Sequence, residues 1–397
     1  MRRQDLDVVV VGAGITGVAL GLALHRSGHR VRVLDHRAME PFIPPRGFDQ
    51  RIYAISETSQ SFLDSVGGWT RMDRQRIQAI ERMDIMGDRD GRLHFDAEPG
   101  KSLGHIVEAG LLLQGLMDQV HASSPDLVEA PVSITDVKYF RDRQEIHLDH
   151  GGVLNARLLV AADGFQSPLR ARMGLEAQFH DYHQTAVVAN YASAGPHGGA
   201  ARQWFLPGEV LALLPMSRNH LSLVWSATEE HARELLSMSP EERTSAIRDV
   251  TEGEVGDLEE VSVPAGFDLK KAWVDRWVLE RFALVGDAAH GVHPMAGQGL
   301  NLGLQDAHCL AGILASRKPG PDCGDLGLLR RYERSRKGSV LMMQGVTDGL
   351  FRLFGVDCPE SWVQWRNQGL NHLEKWTWMK KRLADHAAGY DAGTGWS

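Results

Sequence analysis

The opening residues constrain this chain more than any other stretch. Residues 6–11, LDVVVV, are almost continuously apolar and rich in β-branched side chains, which suits a strand buried on both faces of a parallel sheet. Gly12-Ala13-Gly14-Ile15-Thr16-Gly17 follows, then a helix-like stretch over residues 18–26 closed by Ser27-Gly28, then a second strand over residues 30–34 that ends at Asp35. Gly12 permits a tight turn, Gly14 lets a pyrophosphate approach the backbone, and Gly17 lets the helix pack close to the sheet. The helix N-terminus presents free N–H groups to phosphate oxygens. Asp35 stands where a carboxylate accepts hydrogen bonds from ribose hydroxyls. Strand, turn, helix and acid in register read as a dinucleotide-binding unit, although this motif alone does not say which dinucleotide.

Two further apolar strands end in an acid–glycine pair. Residues 158–162 run into Asp163-Gly164, and residues 282–285 run into Gly286-Asp287. An acid at the C-terminal end of a sheet strand sits where ligands bind in open α/β sheets, so Asp163 and Asp287 are candidate cofactor contacts. Residues 293–303, HPMAGQGLNLG, then open a helix. Its dipole and close backbone access at Gly297, Gln298 and Gly299 suit the partial negative charge of a reduced flavin ring. Pro294, Gly297 and Gln298 are the candidate catalytic positions, with Gly299, Leu300 and Asn301 beside the cofactor. His290 and His293 read as positioning residues, because no third ligand for a metal stands near them.

The bulk properties narrow the class. The net charge of −8 argues against a nucleic-acid binder. Three cysteines without close pairing make neither a disulfide framework nor a metal site, and point to a reducing cytoplasm. The N-terminal apolar run is too short for a signal peptide, and no stretch reaches the roughly 20 apolar residues of a membrane span.

The three nucleotide motifs, in this order, resemble those of the class A flavoprotein monooxygenases, the para-hydroxybenzoate hydroxylase-like group. The stretch from His293 to Asp306 is similar to the pattern of the ubiquinone-biosynthesis hydroxylase family, with Met295 where that pattern carries Leu, Ile or Val. Residues 48–55, FDQRIYAI, also resemble that family, which assigns Arg51 to FAD. Residues 106–116 are similar too and carry over Gln114, although Ala109 follows Glu108 where the family often has Asn. The resemblance spans residues 6 to about 389. It implies bound FAD, a transient NAD(P)H donor, molecular oxygen, a flavin 4a-hydroperoxide, and hydroxylation of a polyprenylated phenol or quinol ring. Hydroxylation of a small aromatic acid, or a flavin-binding assembly subunit without turnover, are the alternatives.

The expected fold is α/β: a Rossmann-like FAD-binding domain, a second α+β domain on a mostly antiparallel sheet, and a helical C-terminal region. The FAD-binding domain takes residues 1–75, 101–180 and 273–345, the substrate domain residues 76–100 and 181–272, and the C-terminal region residues 346–397. Short alternating strands over residues 185–226 predict the second sheet, with Tyr191, Trp204, Leu213 and Pro215 as candidate substrate contacts. Five tryptophans between Trp362 and the C-terminus, interspersed with Lys375, Lys380, Lys381 and Arg382, suit a membrane surface or a partner in a ubiquinone-synthesis complex. The protein is thus expected in the cytoplasm, peripheral on the inner face of the membrane if the tail binds lipid.

Overall fold

The computed structural model describes residues 4–42, 47–291, 299–316, 322–354, 366–369 and 371–372. The opening strand Gln4–Val11 lies at the centre of a largely parallel sheet, between Val153–Ala161 on one side and Val31–Leu34 on the other. Phe282–Leu284 extends the sheet beyond Val153–Ala161, also in parallel, so all three motif strands end at the same edge. Val8, Val9 and Val10 are fully buried, as a strand covered on both faces requires. Helix Ile15–Arg26 packs against both Ala109–Ser123 and Gly299–Ala315. Its approach to the latter is close: a Cβ on Gly303 would stand 2.8 Å from the Thr16 hydroxyl. Glycine at residue 303 is what lets these two helices meet beside the nucleotide turn.

The second sheet is built around the long strand Ala177–Ser193. His220–Thr228, Glu209–Met216 and Ala200–Leu206 continue it in antiparallel order, and Ala265–Val274 pairs on the other side. Arg82–Met86 and Arg92–Asp96, from much earlier in the chain, complete the far edge. Four of these strands match the expected short ones, but the first starts eight residues earlier than expected and bends at His183, whose φ is +53°.

The strand register gives this sheet two different faces. Val187, Ala189, Tyr191, Leu211, Leu213, Trp225 and Trp204 form one core with helices Glu229–Ser237 and Pro240–Val250. Ser239 and Glu242 close the second of these helices with a reciprocal capping box. The opposite face carries Ala201, Leu214 and Met216, which pack on Phe48 and on Ile52, Ile80 and Ile106 of a small sheet made by Ile52–Ile55, Gly104–Glu108 and Gln78–Ile80. It also carries Phe205 and Val210, which pack on Phe354 at the end of the long helix Leu326–Leu353.

The described part of the C-terminal region clamps the turn between the first two strands of this sheet. Arg366 forms an ion pair with Asp88, and the Asn367 side chain donates to Asp88 while accepting from the Arg89 and Gly91 amides. Trp362, Trp365 and the basic–aromatic stretch beyond His372 lie outside the described residues. Among the described residues no helix is long and apolar enough to cross a membrane.

Candidate flavin site

The glycine turn separates steric need from ligand space. Gly12 has φ +107°, and a Cβ there would meet the Ala162 carbonyl oxygen at 2.3 Å. A Cβ on Gly17 would stand 1.9 Å from the Gly12 carbonyl oxygen. Gly14 is different: its φ is −72°, open to any residue, and an added Cβ would meet nothing within 4 Å. Gly14 is also the N-cap of helix Ile15–Arg26, and no side chain caps that helix. Its first-turn N–H groups therefore face a space bare of protein, the cradle a pyrophosphate needs. Asp35 closes the turn from the side, accepting from the Ala13 amide at 2.7 Å and the Arg37 amide at 2.8 Å.

The third motif places a carboxylate over the same edge. Gly286 adopts φ +59° and its amide donates to Asp306 at 3.0 Å, which turns the strand end towards Asp287. Asp287 is open to solvent in one direction and walled by dense protein in the others. Desolvation by those walls pushes its carboxyl above the usual range, with His290 and Arg51 opposing. Its accessible surface, and not its depth, decides that a sugar hydroxyl can reach it. Tyr53 faces the same carboxylate: burial first, then the Asp287 charge, pushes its phenol up.

Arg51 enters from a segment held by buried pairs. Glu108 accepts from Arg76 Nε at 2.6 Å, from Arg76 Nη2 at 2.7 Å and from the Asp49 amide at 2.7 Å. Arg76 also donates to the Gly47 carbonyl and stands 4.8 Å above the Phe48 ring. Asp49 in turn accepts from the Arg51 and Gly110 amides. The exposed Arg51 guanidinium is left to point past Phe267, 5.7 Å away, into the space that Asp287 borders.

A model of the FAD binding domain matches residues 5–342. Ubiquinone hydroxylase UbiL of Rhodospirillum rubrum is 33% identical over 385 residues, spanning 96% of this chain and 89% of the relative. The 3-demethoxyubiquinol 3-hydroxylase of Escherichia coli is 30% identical over 392 residues, 98% of this chain and all of the relative. The chain belongs to the FAD-dependent ubiquinone-biosynthesis hydroxylases. Among solved structures, PqsL of Pseudomonas aeruginosa, a probable FAD-dependent monooxygenase, superposes with a TM-score of 0.77 at 23% identity, covering 93% of this chain and all of that one. HpxO of Klebsiella pneumoniae, solved with FAD and uric acid, gives 0.73 at 17% identity, covering 97% and 96%. These likenesses establish the fold of a flavoprotein hydroxylase. The free cradle at Gly14, the uncapped helix and the reachable Asp287 fit FAD.

Within this hydroxylase the sequence-derived residues divide. Gly12, Gly14 and Gly17 form the turn that Asp35 closes through the Ala13 amide, and Arg51 and Asp287 lie near enough to feel each other's charge after the Gly286 turn. Gly299 and Leu300 begin the helix that meets Thr16 there. The Asn301 side chain is committed elsewhere: it donates to the Ala54 carbonyl at 2.8 Å and accepts from the Ser56 amide at 3.0 Å. Gln114 is likewise engaged, accepting from the Phe42 amide and donating to Asp118. Asp163 closes its own loop, accepting from Ser167 Oγ at 2.5 Å and the Leu169 amide at 3.0 Å, so its carboxylate serves a short helix start. Pro294, Gly297 and Gln298 lie outside the described residues.

The proposed substrate contacts need correction. Tyr191, Trp204 and Leu213 belong to the core under the two helices, and the register places Pro215 in the Tyr191 row on that same face. Tyr191 is fully buried and donates to Glu260 at 2.9 Å. All four share one strand parity, and that parity points away from the flavin segment.

Sequence reasoning missed Glu108, Arg76, Tyr53 and Asp306. Asp306 is fully buried; it accepts from the Gly286 amide, from His290 Nε2 at 2.6 Å and from Arg336 Nε at 2.8 Å. His290 is thereby fixed as a structural partner. Nothing in the spacing singled out this pair, because Arg336 is one of five arginines in the helix Leu326–Leu353.

Asp287→Ala removes the exposed carboxylate at the end of the third motif strand, a group expected to meet cofactor hydroxyls. A charge-assisted hydrogen bond is worth about 1.5–3 kcal/mol, so FAD affinity falls on the order of tenfold or more. Fluorescence titration of the apoprotein reads this directly, and an unchanged affinity contradicts the role.

Proposed function

We propose that this protein hydroxylates the aromatic ring of a polyprenylated phenol or quinol in ubiquinone synthesis, with NAD(P)H as electron donor. The observation that carries the reading is a row on the flavin-facing side of the second sheet that belongs to none of the described apolar clusters. Ala265, Val188, Val224, Ala212 and Gln203 lie side by side across five strands. The clusters around Met216 and around Phe205 flank this row and leave it between them. Small and β-branched side chains there leave room for a flat, apolar ring against the space bordered by Arg51 and Phe267.

A small aromatic acid would call for a cation in the same wall. Arg202 pairs with Asp84 on the same face of the sheet as Trp204, the helix-covered one, and Arg218 is exposed in a turn. The facing rows contain neither Lys nor Arg. An uncharged ring substrate suits this wall.

FAD, when bound, supplies the electron storage and the oxygen chemistry. The chain supplies the rest: Arg51 and Asp287 hold and orient the cofactor, and the apolar row excludes water and sets the ring against it. The names of the ubiquinone hydroxylases at 30–33% identity support the substrate class. The aromatic and basic residues beyond His372 support association with a lipid surface or with other enzymes of the same synthesis.

Val224→Phe tests the wall. The variant retains FAD and melts close to the parent, because Val224 is only half-buried and lies outside the described apolar clusters, while substrate-dependent NAD(P)H oxidation and product formation fall by about tenfold or more, as expected where a bulky ring obstructs substrate positioning. Full activity in a folded, flavin-loaded Val224→Phe protein places the substrate elsewhere.

A further inference from the structure

The long helix Leu326–Leu353 shows solvent a face that changes character along its length rather than around its circumference. At about 100° per residue, Arg330, Arg331 and Arg334 share an arc of roughly 160° with Leu341, Met342 and Val346. The arginines are exposed, and the three apolar side chains are 52%, 49% and 48% exposed. Gly338, Gly345 and Gly349 lie in the same arc, and a Cβ on any of them would meet nothing within 4 Å. Three large apolar side chains within two turns, about half exposed among the described residues, form a contiguous apolar surface.

The basic half continues into a cleft of about 290 Å³ between this helix and residues 275–280. Arg276, Arg330, Arg334 and Lys337 line it together with Asp275, Glu280 and Glu333. Glu333 accepts from the Trp277 amide at 2.7 Å and Glu280 meets the Tyr139 phenol, so two of the three acids have other partners. The cleft thus presents its cations to solvent on a chain whose net charge is −8.

We infer that this face of the helix is a docking surface for an anionic lipid bilayer, with Leu341, Met342 and Val346 entering the acyl boundary and the arginines meeting headgroup phosphates. An apolar insertion beside a basic patch is the pairing that interfacial binding uses. The far end of the helix supports the same geometry. Leu353 and Phe354 pack against Phe205 and Val210, beside the Val224 row of the second sheet. The lipid-contacting half therefore leads directly to the proposed substrate wall. The choice of a bilayer over a second copy of the chain rests on the lipid substrate proposed above.

The test is co-sedimentation of the full-length holoprotein with phosphatidylcholine vesicles, with and without phosphatidylglycerol. Replacing Leu341, Met342 and Val346 together by Gln is expected to lower binding to both kinds of vesicle by about tenfold or more. Replacing Arg330, Arg331 and Arg334 by Gln is expected to remove the preference for phosphatidylglycerol, by about fivefold for each arginine. FAD content and melting temperature stay at parental values in both variants, since these side chains face solvent. Vesicle binding unchanged in both variants overturns the inference, as does a parent protein that binds neither vesicle. A triple Gln variant that turns a dimer into a monomer without changing vesicle binding assigns the face to a second copy and also overturns it. Hydroxylation of a detergent-solubilised short-chain phenol, measured on the same preparations, reads the proposed reaction independently of lipid docking. Its loss in the parent defeats that reaction and leaves the vesicle result to be judged by itself.

Discussion

Gly14→Val should fold with a melting temperature close to the parent's and emerge from purification without flavin. The two parts of that outcome come from different observations. The backbone at Gly14 has ordinary extended angles, so valine adopts it without strain. A Cβ there meets no protein atom, so nothing in the fold resists it. The same space is where the uncapped N–H groups of helix Ile15–Arg26 point, and a branched side chain keeps the pyrophosphate away from them. The loss covers the contacts made by the whole turn, so the colourless protein is expected rather than a weakened one. Gly17→Ala is the contrasting variant: its Cβ would overlap the Gly12 carbonyl oxygen, so the fold itself suffers. A yellow, fully loaded Gly14→Val protein would show that this turn does not hold the cofactor.

Asp306→Asn is expected to destabilise the protein by about 3–5 kcal/mol, the cost of breaking a buried ion pair from one side. The carboxylate is the meeting point of three elements: the Gly286 turn, His290, and Arg336 of the long helix. An amide keeps the shape but leaves the Arg336 charge buried without its counter-charge. The sign of the pH dependence follows from the same pairing. Burial alone would raise the Asp306 carboxyl, but His290 and Arg336 outweigh it and hold it below its ordinary value. A depressed folded value means that this stabilisation is complete above the unfolded value of about 3.9 and is lost as pH falls through the folded one. Acid titration of the melting temperature should therefore show a smaller loss in Asp306→Asn than in the parent. FAD affinity should drop as well, because the Gly286 amide loses a charged acceptor and the Asp287 turn loosens. Equal stability of the two proteins at neutral pH would remove Asp306 from this account.

The parallel sheet and its ligand edge were legible because local pattern and tertiary role coincide there. Residues 8–11 are apolar throughout since both faces are covered, and Gly12 and Gly17 are glycine since other backbone atoms lie where a Cβ would be. The substrate wall was not legible, for a physical reason. The strand Glu209–Met216 at its middle packs apolar side chains on both faces, so the alternation that normally tells inside from outside is absent there. Size favoured Tyr191, Trp204 and Leu213, yet bulky residues fill a core and small ones leave room for a ligand. Asp163 misled for another reason. Ser167 and Pro168 supply a local helix start that absorbs its carboxylate, a pattern present in the sequence but overshadowed by the strand before it. Glu108 with Arg76, and Asp306 with Arg336, are about thirty residues apart. No spacing rule links such pairs before the chain is folded.

The central claim is ring oxygenation of an uncharged prenylated phenol, and isotope incorporation tests it most directly. Purified protein loaded with FAD would be supplied with NAD(P)H, a short-chain polyprenyl phenol and ¹⁸O-labelled oxygen gas, and the products analysed by mass spectrometry. The account predicts a product bearing one added hydroxyl on the ring, its oxygen derived from the gas, formed in step with NAD(P)H oxidation that the phenol stimulates. NAD(P)H oxidation indifferent to the phenol, with no labelled product, would contradict it.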